Sequence, residues 1–325
     1  MKVRMVGWIV APAAVMVAMG IWGPSGRVVG QSADIPQSRA WLLGPIPEGT
    51  GNVPSHSGCP GEPKLLRPCA QEKANQFDPP RTPDGKPNFQ GMWARTNGTG
   101  TDSRSAFILE EHEGNRAEQV PAGKSLIVDP PDGLIPYQPW AKAKREEIMK
   151  TYIDQVSNCL PPGVPRHFLA PGIYQIVQSP GYVIFVLEHA GHTRIVPTDG
   201  RAHIGGKARL WQGDSVGHWE GNTLVVDTTN VNGQAFLSIL PRDFTSANLH
   251  VVERYTLFDT DSIFFEATLE DPTVFTRPWT IAWGRTRMPG KNLELFEEAC
   301  HEGNRSDTFS VPNLMFLGLD HSPKP

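Results

Sequence analysis

The chain has 325 residues, including 32 Gly and 31 Pro, against an ordinary usage of about an eighth for the two together. Its formal net charge of −4, with 39% hydrophobic and 20% charged residues, excludes a nucleic-acid binder with a basic stripe and a wholly disordered chain. Gly without a three-residue period excludes collagen, and so much Gly and Pro beside nine Trp and 14 Phe points to short strands joined by turns.

Taken in chain order, Lys2 and Arg4 precede an apolar stretch from Val6 to Trp22, followed by small residues up to Gly30. This is the layout of a secretory signal cut near Gly30, with an uncleaved anchor helix as the lesser alternative. Its removal takes away Lys2, Arg4 and Arg27 and no acid, leaving a more acidic chain with no further apolar segment long enough to span a membrane. The protein is therefore expected in the periplasm or outside the cell. All four cysteines lie beyond the signal, as two disulfides would in an exported chain. Three connectivities are open; Cys59–Cys69 with Cys159–Cys300 is favoured.

Residues 31–87 are rich in Pro, Gly and charge and read as an irregular arm. A single domain over 88–305 follows, then a tail over 306–325. Asn88 to Arg95 forms a first strand carrying Gly91-x-Trp93, a pattern that closes one end of lipocalin-like barrels. Residues 98–135 read as loop. Residues 139–157 form the one clear helix, with Pro139 in its first turn and Met149, Tyr152, Ile153 and Val156 on an apolar face. From Gly172 onward strands dominate. Turns at Pro180-Gly181, Glu220-Gly221-Asn222 and Asp259-Thr260-Asp261 separate them. Strands at 250–258, 262–270 and 279–287 follow, and Leu293 to Cys300 closes the series. The fold class is mainly β: an antiparallel up-and-down barrel, lipocalin-like, or a strongly curved sheet, with one covering helix.

Segments such as TPDGKPNFQGMW, IVPTDGRAH and GDSVGHWEGNTLVVDTTN resemble those of a large family of exported, β-rich bacterial proteins. The resemblance runs from about Asp78 to Cys300. It implies export and a β-rich fold and carries no activity. The stretch IGGKARLWQGDS after His203 departs from the pattern, so it transfers no ligand preference.

Polar residues crowd between Glu188 and Glu220, with His250, Glu253 and Arg254 following. A His beside a carboxylate moves protons near neutral pH. His203 with Asp199 or Asp214, and His250 with Glu253, are the candidate acid–base pairs. Arg201 or Arg254 is the candidate anion stabiliser; for Arg201 a salt bridge inside its own turn is the plainer reading. Trp211, Trp219, Tyr255, Arg254 and His192 are the candidate ligand contacts; for Arg254 the plainer reading is a cross-strand ion pair. A zinc site from His189, His192 and His203 is the lesser alternative, because His-x-x-His across a turn fixes no geometry. Gly213-Asp214-Ser215-Val216-Gly217 matches a nucleophile elbow by letters only, as a hairpin rather than a helix follows. No cofactor motif is present. The expected partner is a small organic molecule, bound by an enzyme without cofactor (lyase, isomerase or hydrolase); a carrier without turnover and an envelope-interaction protein are the alternatives.

Overall fold

A computed structural model describes residues 57–95, 108–112, 123–152, 154–169, 173–188, 191–238, 243–288 and 293–297. The expected signal segment, the first part of the expected arm, His189, Cys300 and the expected tail lie outside them. No helix among the described residues is long and apolar enough to cross a membrane.

The fold is mainly β. One antiparallel 10-stranded sheet contains β1 (Gly91–Arg95), β2 (Ile127–Asp129), β3 (Ile173–Ser179), β4 (Tyr182–Leu187), β5 (Thr193–Pro197), β6 (Asp214–Glu220), β7 (Thr223–Thr229), β8 (His250–Asp259), β9 (Ser262–Glu270) and β10 (Trp279–Arg287). The order is β5-β4-β3-β1-β10-β9-β8-β7-β6, with β2 paired to β10 off this path. Two meanders, β3 to β5 and β6 to β10, are thus joined through β1. The expected turns hold: Gly181 at φ 80° and Gly221 at φ 57° supply left-handed backbone between β3 and β4 and between β6 and β7.

The sheet curls until β5 and β6 face each other across a seam, so it is nearly closed into a barrel. Side chains rather than a backbone ladder bridge that seam. Arg194 of β5 donates to Ser215 Oγ of β6 at 2.9 and 3.1 Å. Gly217 of β6 lies so close to β5 that a Cβ there would stand 2.9 Å from Val196 Cγ1 and 3.1 Å from Thr198 Cγ2. A larger residue at this position holds the seam apart.

Strand alternation sends Trp93, Tyr174, Phe185, Val226, Tyr255 and Phe265 into one buried core. Trp93 is wholly buried, donates to the Phe89 carbonyl at 2.8 Å, and carries the Arg287 guanidinium 4.2 Å from its ring centre. Its Gly-x-Trp strand thus meets the last strand of the sheet.

Helices depart from expectation in three places. Helix α1 (Pro63–Gln76) stands where an irregular arm was expected. Its Leu66 and Ala70, one turn apart, pack with Cys59 against Phe258, Phe264 and Ala282 on the outer face of β8 to β10. The Cys59–Cys69 disulfide ties it to the segment before it. Helix α2 (Pro139–Thr151) ends before residue 157, and a 3-10 turn at Gln155–Asn158 follows. Asp154 interrupts it: the carboxylate caps Val156 N at 2.9 Å and is held by Arg166. Helix α3 (Arg166–Leu169) is wholly buried and places His167 and Phe168 in the barrel interior. β2 lies where loop was expected, and Leu293 to Glu297 is not a strand. Cys159 is disulfide-bonded; its expected partner, Cys300, is outside the described residues.

Candidate active site

The candidate residues divide between the two faces of one sheet. Successive side chains on a strand point to opposite faces. His250 and Glu253, three residues apart on β8, therefore face opposite ways, and the expected His250–Glu253 pair does not form. His250 points outward. Glu253 points inward and is wholly buried.

On the outer face, the expected pairing of His203 with Asp214 does form. Asp214 opens β6 opposite Thr229, and Val216 pairs with Asp227, so the two carboxylates are diagonal neighbours. His203 reaches between them from the β5–β6 connection. Its Nδ1 is 2.8 Å from Asp214 Oδ2 and its Nε2 is 2.8 Å from Asp227 Oδ1. Asp227 offers its other oxygen to His250 Nε2 at 2.7 Å. His250 Nδ1 in turn faces Glu270 Oε2 at 3.9 Å. Carboxylates and imidazoles thus alternate from Asp214 through His203, Asp227 and His250 to Glu270. His203 and Asp227 are 26% and 34% exposed and His250 is 37% exposed, so a solute reaches one end of the chain more readily than the middle. Ile204 N donates to Asp214 at 3.0 Å, and Asn230 Nδ2 donates to the Ile204 and Gly205 carbonyls, which fixes the His203 segment.

An imidazole with a carboxylate at each nitrogen satisfies both only when doubly protonated. Partial burial opposes the His203 charge, but its hydrogen bonds to Asp214 and Asp227 outweigh that, and its pKa is raised. A raised pKa contributes stability below the free-imidazole value of about 6.5, and that contribution is lost as pH rises through the folded-state value. His203→Gln is thus expected to destabilise by about 1 kcal/mol in mild acid, a figure already discounted for exposure. Urea unfolding at several pH values should show this gap closing as the solution becomes alkaline. A gap constant with pH would rule out the imidazolium.

The inner cluster centres on Arg194, which is 5% exposed. It donates to Glu253 Oε2, to Thr228 Oγ1 at 2.9 Å and to His167 Nε2 at 3.0 Å, besides Ser215. Tyr255 donates to Glu253 Oε1 at 3.0 Å. Burial, then the Arg194 and Arg285 charges, push the His167 pKa well below its ordinary value, so this ring is neutral.

The remaining candidates take structural partners. Arg201 is held by Asp199 in its own turn, at 2.6 Å to Oδ2, and by Tyr182 Oη at 2.8 Å, which is the plainer of the two readings. Arg254 points outward and pairs with Glu220 at 2.7 Å across the strands. Tyr255 is in the core. Trp219 is partly buried against Phe89, with ring centres 5.7 Å apart. Trp211 is half-buried in the β5–β6 connection, and His192 sits in the turn before β5. Both His203 nitrogens are engaged by carboxylates, leaving none for a metal shared with His192. Ser215 serves Arg194 and Thr228 and has no helix behind it.

Asp227, Arg194 and His167 were not selected from the sequence as site residues. For Asp227 a signal existed: an acid in the apolar run Leu224-Val225-Val226, on the outward parity of β7. No family model, curated protein or solved structure matches the chain.

Proposed function

We propose that the chain is an exported barrel protein that acts on a small organic molecule by proton transfer, without a cofactor, at the outer His–Asp chain. The observation that carries this reading is the Asp227–His250 pair at 2.7 Å, braced from behind by His203 and Asp214. Export is supported by the Cys59–Cys69 disulfide and the bonded state of Cys159. The family resemblance agrees with export and adds no reaction.

The hydrogen bond to Asp227 places the His250 proton on Nε2 and leaves the Nδ1 lone pair as base. Nδ1 takes a proton from the substrate, and the resulting imidazolium is stabilised by Asp227 on one side and Glu270 on the other. Return of that proton to another atom of the substrate gives isomerisation. Its transfer to a departing group gives elimination. Base and orienting carboxylate in contact are the arrangement such chemistry needs.

The test is a pool of small metabolites incubated with the protein and followed by mass spectrometry. At least one compound is expected to be converted by the native chain and spared by His250→Gln, with a rate loss of about 10²–10⁴. Conversion at equal rates by both proteins, or no conversion at all, would sink the reading and leave a carrier.

A further inference from the structure

The connection between β5 and β6 departs from the family pattern just after His203, and the outer site makes no use of residues 204–211. From Gly200 to Gly213 the connection carries Arg201, Lys207 and Arg209 and no acid. The acids that flank it, Asp199 and Asp214, are engaged by Arg201 and His203, and Asp227 is engaged by His203 and His250. Lys207 is exposed and has no hydrogen-bond or ion-pair partner among the described residues. Arg209 is exposed too. It uses one N–H on the Ala247 carbonyl at 2.9 Å and meets no acid among the described residues with the rest of its fork. The net charge of −4 over the whole chain does not cancel these two cations, because charges beyond a Debye length of about 10 Å at 0.1 M salt are screened.

Two large apolar side chains stand among these cations: Ile204 and Leu210, each 44% exposed. A lone exposed aliphatic is ordinary on a protein surface, but these two are held together. Asn230 joins them. Its side-chain amide donates to the Ile204 and Gly205 carbonyls at 3.2 and 3.1 Å, and its backbone carbonyl accepts from Leu210 N at 2.9 Å. The Leu210 carbonyl accepts from Asn232 N at 2.9 Å. Between the two aliphatics the chain turns at Gly205 and Gly206, where an added Cβ would meet nothing within 4 Å, and Ala208 N donates back to the Gly205 carbonyl at 3.1 Å. The connection is thus fixed at its base and open at its tip. Exposed aliphatics interleaved with unpaired cations suit a lipid surface: the aliphatics enter among the headgroups and the cations meet the phosphates.

We propose that residues 204–210 are an interfacial anchor that docks the protein on an anionic lipid bilayer, with Ile204 and Leu210 entering the headgroup region and Lys207 and Arg209 on lipid phosphates. Two cations and two aliphatics give weak, reversible attachment rather than a permanent one. This surface stands or falls independently of catalysis at the outer His–Asp chain.

The experiment sediments vesicles with the whole chain after cleavage of the expected signal, checked by its mass. Vesicles of equal parts phosphatidylglycerol and phosphatidylcholine are compared with phosphatidylcholine alone. Binding to the anionic vesicles is expected to be at least about tenfold the stronger and to fall as salt rises. Lys207→Gln with Arg209→Gln should weaken it by about 25-fold, since each cation near such a surface is worth about fivefold. Ile204→Ser with Leu210→Ser should weaken it by about tenfold. The four side chains are exposed, and the bonds that fix the connection run through backbone atoms and Asn230, so thermal unfolding close to that of the native chain checks that both variants fold. Leu65→Ser removes a 53% exposed aliphatic on α1 and should leave binding unchanged. Equal binding to both kinds of vesicle, indifference to either double variant, an equal loss in Leu65→Ser, or no binding at all overturns the proposal. So does sedimentation without vesicles that vanishes in the same variants, which would mean that the surface meets a second copy of the chain. None of these outcomes bears on conversion by His250, which is measured separately.

Discussion

Glu253→Gln is expected to destabilise the fold by about 3–5 kcal/mol, the range for removing one member of a buried ion pair. The carboxylate is wholly buried and receives Arg194 on one oxygen and Tyr255 on the other. Neutralising it leaves the buried Arg194 charge facing only a neutral amide oxygen, hydroxyls and the His167 ring, with no counter-charge. His167 adds no compensation, because its environment already opposes a positive charge. The damage falls on the seam, since Arg194 is the side chain that ties β5 to β6, β7 and β8. Urea unfolding of the variant measures the loss. The double variant Arg194→Met with Glu253→Leu removes both charges and should recover most of it, because a buried pair replaced by apolar residues of similar volume is often neutral or better. A single-variant loss below about 1 kcal/mol would show that water reaches the pair.

This buried pair and the outer His–Asp chain show how far the sequence could be read and where it stopped. Hairpins were legible because their turns require particular residues: Gly181 and Gly221 adopt backbone that other residues resist. His203 and Asp214 were legible as partners because one short connection brings them together. His250 and Glu253 were paired by nearness along the chain, yet the period of a strand places them on opposite faces. Arg194 illustrates a harder limit. Its partners come from α3, β6, β7 and β8, and only the register of the closed sheet brings those segments together. Two helices were hidden for different reasons. In α1, Pro and charge masked the small buried face of Leu66 and Ala70. At four residues, α3 is too short to show any period.

Asp227→Asn is expected to cost the outer site about as much activity as loss of His250 itself, on the order of 10²–10⁴ in turnover. Asp227 sits between two imidazoles, and its two oxygens have different tasks. One receives His250 Nε2–H and so keeps the Nδ1 lone pair available. The other receives His203, whose far side is anchored by Asp214. An amide can accept at its oxygen but must present its NH₂ to the remaining ring. If the NH₂ faces His250, that ring must turn its lone pair to Nε2 and its proton to Nδ1, the wrong tautomer for a base at Nδ1. If it faces His203, the doubly protonated ring loses one of its two supports. Either orientation damages the chain without leaving a cavity. Stability and turnover therefore separate the roles. In the first orientation, turnover collapses while the His203 contribution to stability in mild acid survives. In the second, both fall, and the difference between wild type and variant in urea unfolding shrinks as pH rises through the raised His203 value. Unchanged turnover in Asp227→Asn would remove Asp227 from the working site and leave His250 without an orienting partner other than Glu270 at 3.9 Å, a distance beyond a direct hydrogen bond.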